Sequence, residues 1–213
     1  MLQRILMDGG GIFWSLAYIL IIFRGFKDKT YGMPLFALCV NISWEFIFSF
    51  IIPSTKPQIY INYIWLILDV FIMIQFLKFG KLEFPTLSNK QFYTVFILAL
   101  VTGFGLTLSV TYEFNDFEGV YAAFGDNLFM SILFIVMLFT RSTLRGQSIY
   151  IGIFKMLGTA FNSIAFYFYE PITRGSVLLP FLFISIFVYD LIYVGLIYQK
   201  YGENVIFSGE GFK

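Results

Sequence analysis

Apolar residues run in blocks of about twenty, separated by short polar stretches. At a rise of about 1.5 Å per residue, such a block spans the ~30 Å hydrocarbon core of a bilayer. Seven blocks are predicted to be helices, at roughly 7–23, 34–52, 59–77, 92–110, 120–139, 149–169 and 177–198. The connections are short and leave no room for an inserted soluble domain. The chain therefore reads as one all-α domain over residues 1–213, a seven-transmembrane-helix bundle. The first block has no small-residue cleavage pattern and leads straight into the basic turn "RGFKDKTYG", so it is expected to be a span rather than a removed leader.

The polar stretches are asymmetric. Those after spans one, three and five, together with the C-terminal tail, carry Arg24, Lys27, Lys29, Lys78, Lys81, Lys90, Arg141, Arg145, Lys200 and Lys213. The opposite side carries only Arg4, Lys56 and Arg174. By the positive-inside rule this ten-to-three bias predicts an N-terminus outside and a C-terminus in the cytoplasm. Spans three ("WLILDVFIMIQFLK") and seven ("FVYDLIYVGLIYQK") echo one another, as expected of two three-helix repeats around a linking fourth helix; chance similarity between two oily helices explains the echo equally well.

Composition supports the membrane reading. Hydrophobic residues make up 59%, charged residues 13%, and the mean hydropathy is +0.81, against roughly half apolar and a quarter charged in a soluble domain. A net charge of +1 without a basic run gives no reason to expect a nucleic-acid partner. The single Cys39 lies in an apolar run, so no disulfide framework is available, and it reads as a small buried hydrophobe. Histidine is absent, which removes His-ligated metal centres and Ser–His or Cys–His catalysis. Neither a cofactor nor a metal is expected, and chemistry must run on carboxylates, lysine, hydroxyls, amides and aromatic rings.

Five ionisable residues interrupt the oily blocks: Glu45, Asp69, Asp126, Lys155 and Asp190. Each costs about 2.5–3.5 kcal/mol at a helix centre, so each should face the bundle interior. Counted from the outer end of its helix, Glu45 lies about 12 Å deep, Asp69 about 15 Å, Asp126 about 9 Å, and Asp190 and Lys155 about 20 Å. Lys155 is expected to pair with Asp190 or Asp69. Asp126 suits either a structural role near a helix N-terminus or catalysis. At most one acid can take the lysine, and burial without a partner disfavours the charged form of a carboxylate. A neutral carboxylic acid is a proton donor suited to an oily substrate; the plainer reading of Glu45 and Asp190 is a hydrogen-bonded structural acid.

Asn41 and Glu45 share a helix face with Phe48 and Ser49, and Phe187, Asp190 and Tyr193 are expected to share another. Aromatic residues reach 22%, most of them for packing or the lipid interface, but a cavity walled by their faces would stabilise a carbocation. "GFGLTL" at 103–108 lies mid-span and reads as a packing feature rather than a nucleotide loop. "EFNDFEG" at 113–119 is expected to be a solvated outer loop that binds no metal.

The stretches "YGMPLFALCVNISWEF", "WLILDVFIMIQFLKFGKLEFP", "NLFMSILFIVMLFTRSTLRGQSIYIGIFKMLGT" and "VYDLIYVGLIYQKYG" cover most of residues 31–202. In them the chain resembles the small integral-membrane terpene cyclases of fungal meroterpenoid and indole-diterpene biosynthesis. Its abundance of Ile, Phe, Lys and Asn would suit a bacterial member. The resemblance implies that Glu45, from the W-E pair, and Asp190, in the last helix, are essential. It further implies a metal-independent cyclisation, begun by protonating an epoxide or alkene of a prenyl chain. Asn41, Trp44, Asp69, Asp126, Asn127, Lys155, Phe187 and Tyr193 are then expected around the pocket. A prenylated or epoxyprenyl lipid is the expected substrate and membrane lipids the surroundings. Entry from the bilayer between spans two and seven is expected, with Glu45 and Asp190 within about 10 Å and free to couple. The alternative is a small seven-helix proton-coupled transporter or heptahelical sensor, for which polar residues are sparse.

Overall fold

A computed structural model describes residues 1–141 and 143–202; Lys213, counted in the charge bias, lies outside the described residues. Seven α-helices follow one another: α1 (Leu2–Asp28), α2 (Leu35–Phe46), α3 (Gln58–Phe79), α4 (Asn89–Glu113), α5 (Val120–Thr140), α6 (Ile149–Tyr169) and α7 (Leu178–Ile197). No strand occurs among the described residues. Among the described residues six helices are long and apolar enough to cross a membrane, and the apolar segment Leu35–Ile51 is the shorter seventh. The helix α1 extends beyond the apolar block at both ends, because Gln3, Arg4, Arg24 and Lys27 tolerate helix well and continue it past the oily stretch.

The bundle divides into halves with the same neighbour pattern. In the first, α3 packs on α1 and α2; in the second, α7 packs on α5 and α6; and the halves meet crosswise through α1 against α6 and α2 against α5. The remaining helix, α4, lies chiefly on α2. This is the three-plus-one-plus-three arrangement that the echo between spans three and seven foreshadows.

Small residues set the tightest crossings. A Cβ at Gly158 of α6 would fall 2.6 Å from Trp14 Cδ1, and one at Gly10 of α1 would fall 2.0 Å from Asn162 Oδ1. In "GFGLTL", Gly103 meets the α2 backbone at Cys39, which confirms a packing role. Cys39 itself is fully buried.

The end that carries most of the basic residues is clamped shut. Arg141 Nη2 pairs with Glu83 at 2.9 Å, Nη1 donates to the carbonyls of Tyr31 (3.0 Å) and Arg145 (2.8 Å), and the guanidinium lies over the Tyr31 ring. Planar, multi-donor arginine suits such a site. The other end is open.

Candidate functional site

A cavity of about 1110 Å³ enters the bundle from that open end. Its lining descends α1 from Met1 to Tyr18, α5 from Val120 to Met130 and α3 from Gln58 to Trp65, with Asn41, Trp44 and Glu45 of α2 and Thr159 of α6 at depth. The rings of Trp14, Tyr18, Trp44, Trp65, Phe124 and Phe166 face it. Around the mouth lie Arg4, Asp8, Lys56, Glu118 and Glu170. The cavity is therefore bounded by α1, α2, α3, α5 and α6, not by α2 and α7: α5 packs against both of these helices and occupies the place where the lateral opening was expected.

The geometry around Glu45 begins in the α2 backbone. Beyond Phe46 the helix widens into a π turn, Ile47–Ile51, and Ile52 N–H donates to Ile47 C=O at 2.8 Å. Such turns are frequent at functional sites. The Phe48 carbonyl accepts from Ser54 N–H (3.0 Å) and Asn62 Nδ2 (3.2 Å), so the irregularity leaves it satisfied. Trp44 Nε1 donates to Gly119 C=O at 2.8 Å, which ties α2 to the start of α5. Gly119 has φ +73°, and a Cβ there would fall 2.3 Å from the Phe48 ring, so both backbone and packing require glycine.

Glu45 is 1% exposed. Its Oε1 accepts from Tyr18 Oη at 2.7 Å and from Asn41 Nδ2 at 3.1 Å, while Oε2 has no hydrogen-bond partner. Asn41 Nδ2 also lies 2.7 Å from Asp69 Oδ2 and 2.5 Å from Tyr18 Oη. One amide thus bridges two carboxyls, with Asp69 behind Glu45 and away from the cavity. Asn41 and Glu45 share a face at the cavity as expected, whereas Asp69, expected around the pocket, stands behind them and outside its lining. Tyr18 was not anticipated: among 14 tyrosines nothing in its local pattern distinguishes it, although Trp14 and Tyr18 stand one helical turn apart on a single face of α1.

Asp190 occupies a different place. It is 2% exposed and bound by Lys155 Nζ, at 2.8 Å to Oδ1 and 3.0 Å to Oδ2. The same ammonium donates to Asn127 Oδ1 (2.8 Å) and Ser131 Oγ (2.6 Å) and lies 5.6 Å from the Trp14 ring. Asn127 Nδ2 in turn donates to Thr159 Oγ1 at 2.7 Å. Asn127 and Thr159 reach the cavity, whereas Asp190 and Lys155, which was expected around the pocket, do not. Lys155 thus takes Asp190, one of its two expected partners, and the expectation that Glu45 and Asp190 point into one void fails on the Asp190 side.

The two polar clusters correspond. Tyr18, Asn41 and Asp69 come one each from α1, α2 and α3; Ser131, Lys155 and Asp190 come one each from α5, α6 and α7. Where the first half has a neutral amide between oxygens, the second has an ammonium.

Three further expectations change. Phe187 is 44% exposed while Ile186, Asp190 and Tyr193 are buried: a residue one step from the buried stripe turns about 100° away. Tyr193 is buried but hydrogen-bonds Gln147 at 3.1 Å and lies outside the cavity lining. The "EFNDFEG" stretch is mostly exposed, as expected, but not at Asp116, which is 4% exposed and accepts from Tyr121 N–H at 2.8 Å at the start of α5. Burial pushes the Asp116 carboxyl up, against the pull of its backbone donors.

A helical membrane bundle with a buried acid deep in an aromatic cavity is the architecture in hand. The chain belongs to the Pyr4-like transmembrane terpene cyclases, whose family model matches residues 1–204, and it is an integral, multi-pass membrane protein. It is 31% identical over 161 residues to the Pyr4-family terpene cyclase mfmH of Annulohypoxylon moriforme, a match covering 73% of this chain and 66% of that protein. It is 29% identical over 204 residues to terpene cyclase pyr4 of Aspergillus fumigatus, covering 89% and 83%. With terpene cyclase macJ of Penicillium terrestre it shares 28% over 199 residues, covering 87% and 77%. No solved structure matches the chain significantly.

Proposed function

We propose that the chain, acting as one cyclase domain, is a class II-type terpene cyclase in which Glu45 protonates an epoxide or alkene of a prenyl lipid. The observation that carries this reading is the asymmetry of the Glu45 carboxyl. Two donors hold Oε1, Oε2 has no hydrogen-bond partner, and the residue itself lines an aromatic cavity. A proton on Oε2 passes to the epoxide oxygen, a C–O bond breaks, and positive charge moves into the prenyl chain. As Glu45 becomes a carboxylate, Tyr18 and Asn41 already aim donors at it, so its growing charge is stabilised without reorganisation. The aromatic faces stabilise the migrating cation, and the walls hold the chain folded so that ring closure is favoured.

Asp69 supports the acid through the shared Asn41 amide. Asp190 acts at one remove: it compensates the Lys155 charge, and Lys155 fixes Asn127 at the cavity wall. The charge bias supports an orientation with the cavity mouth on the non-cytoplasmic side. Family membership speaks against the transporter and sensor alternative.

The test is conversion of an epoxyprenyl compound by membranes from a host expressing the chain. The expected result is a cyclic product of unchanged mass that empty-host membranes do not form. Unaltered substrate, with the protein present in the membrane and folded, would overturn the proposal.

A further inference from the structure

Protonation starts a cyclisation, but an alkene product also requires a group that removes a proton from the final cation. Of the acids that line the cavity besides Glu45, Asp8, Glu118 and Glu170 lie at the mouth, and Asp116 is engaged by the backbone at the start of α5. Asp126 differs from all of them. It sits on α5 within the cavity wall, one residue before Asn127, and is 6% exposed. Its Oδ1 is sealed from solvent with no hydrogen-bond partner, and no described residue donates to its carboxyl. It does not cap its helix, since α5 begins at Val120 and the adjoining loop is held by Asp116. An unpartnered buried carboxyl is costly, so stability alone gives no account of it. Lys155, committed to Asp190, Asn127 and Ser131, is nearby but makes no hydrogen bond to it.

We infer that Asp126 is the base that ends the cascade by taking a proton from the carbon next to the final cation. This rests on the cyclase reading above and assigns a step that the reading leaves open. The balance closes within the cavity. Glu45 loses one proton to the epoxide oxygen; the neutral Asp126 carboxyl accepts the C–H proton on its carbonyl oxygen as the C–H pair becomes the alkene π bond, and gives up its own hydroxyl proton to water. Water entering from the mouth then carries the proton from Asp126 back to Glu45. Substrate and product are isomers. The placement of acid and base on facing helices, α2 and α5, lets one carboxyl act at each end of the folded chain.

The test compares wild type, Asp126→Asn and Asp126→Glu in membranes, following substrate loss and product identity by mass spectrometry. Asp126→Asn should still consume epoxyprenyl substrate while alkene formation falls about 100-fold, the range of a general base. The flux should appear as water-quenched alcohol or less cyclised alkenes, and Asp126→Glu should restore part of the native alkene. An unchanged product profile and rate in Asp126→Asn would overturn the inference. So would loss of substrate consumption in both variants while each stays monodisperse in detergent, because that pattern marks Asp126 as needed for initiation or for the fold. Failure of wild type to cyclise would instead refute the cyclase reading itself.

Discussion

Tyr18 Oη lies 2.7 Å from Glu45 Oε1, joining the middle of α1 to the end of α2. The bond holds the acid in place and strengthens as the acid loses its proton, since a hydrogen bond to a charged acceptor contributes about 1.5–3 kcal/mol. Tyr18→Phe should therefore lower kcat about 10- to 100-fold and change KM little. Steady-state kinetics on membranes check this. A Tyr18→Phe enzyme with wild-type kcat would mean that the bond serves packing only.

Lys155 and Asp190 form an ion pair in which both side chains are 2% exposed. Removing either partner leaves a buried charge uncompensated, at a cost of about 3–5 kcal/mol, whereas removing both with apolar groups of similar size can be nearly neutral. Lys155→Met and Asp190→Leu should each lower the midpoint of thermal unfolding in detergent, and the double variant should recover most of the loss. If the double variant is no more stable than the worse single one, the pair is not what Asp190 contributes.

Gly158 allows α1 and α6 to meet at Trp14, which is part of the cavity wall. Gly158→Ala should push the indole into the cavity or part the helices, at about 1–3 kcal/mol as overpacking usually costs. Product spectrum should shift along with stability, and gas chromatography of the lipid extract reads the shift. A stable Gly158→Ala variant with the native product ratio would show that this wall does not shape the substrate.

Much of this was legible in the chain for a simple reason. A carboxylate inside an oily block is expensive enough that its presence marks an interior, often functional position, and Glu45, Asp69, Asp126, Lys155 and Asp190 are all buried. Helix number followed from block length. Which acids meet did not, because it depends on the order in which helices pack. With α5 against both α2 and α7, Glu45 and Asp190 belong to separate clusters despite similar sequence signals. Tyr18 escaped notice because a tyrosine costs little in a membrane helix and so carries no warning. Three-residue spacing groups Phe187 with Asp190 and Tyr193 but does not tell on which side of the buried stripe it falls, and it falls on the exposed side.

In the proposed mechanism the starting proton comes from Glu45. The most direct measurement is formation of the isomeric cyclic product by Glu45→Gln membranes, normalised to the amount of folded protein and compared with wild type. Glutamine keeps the shape and can still accept from Tyr18, but it has no acidic proton. Loss of product by about 100-fold or more is expected, the scale of a general acid, with substrate binding retained. Turnover by Glu45→Gln close to that of wild type would contradict it.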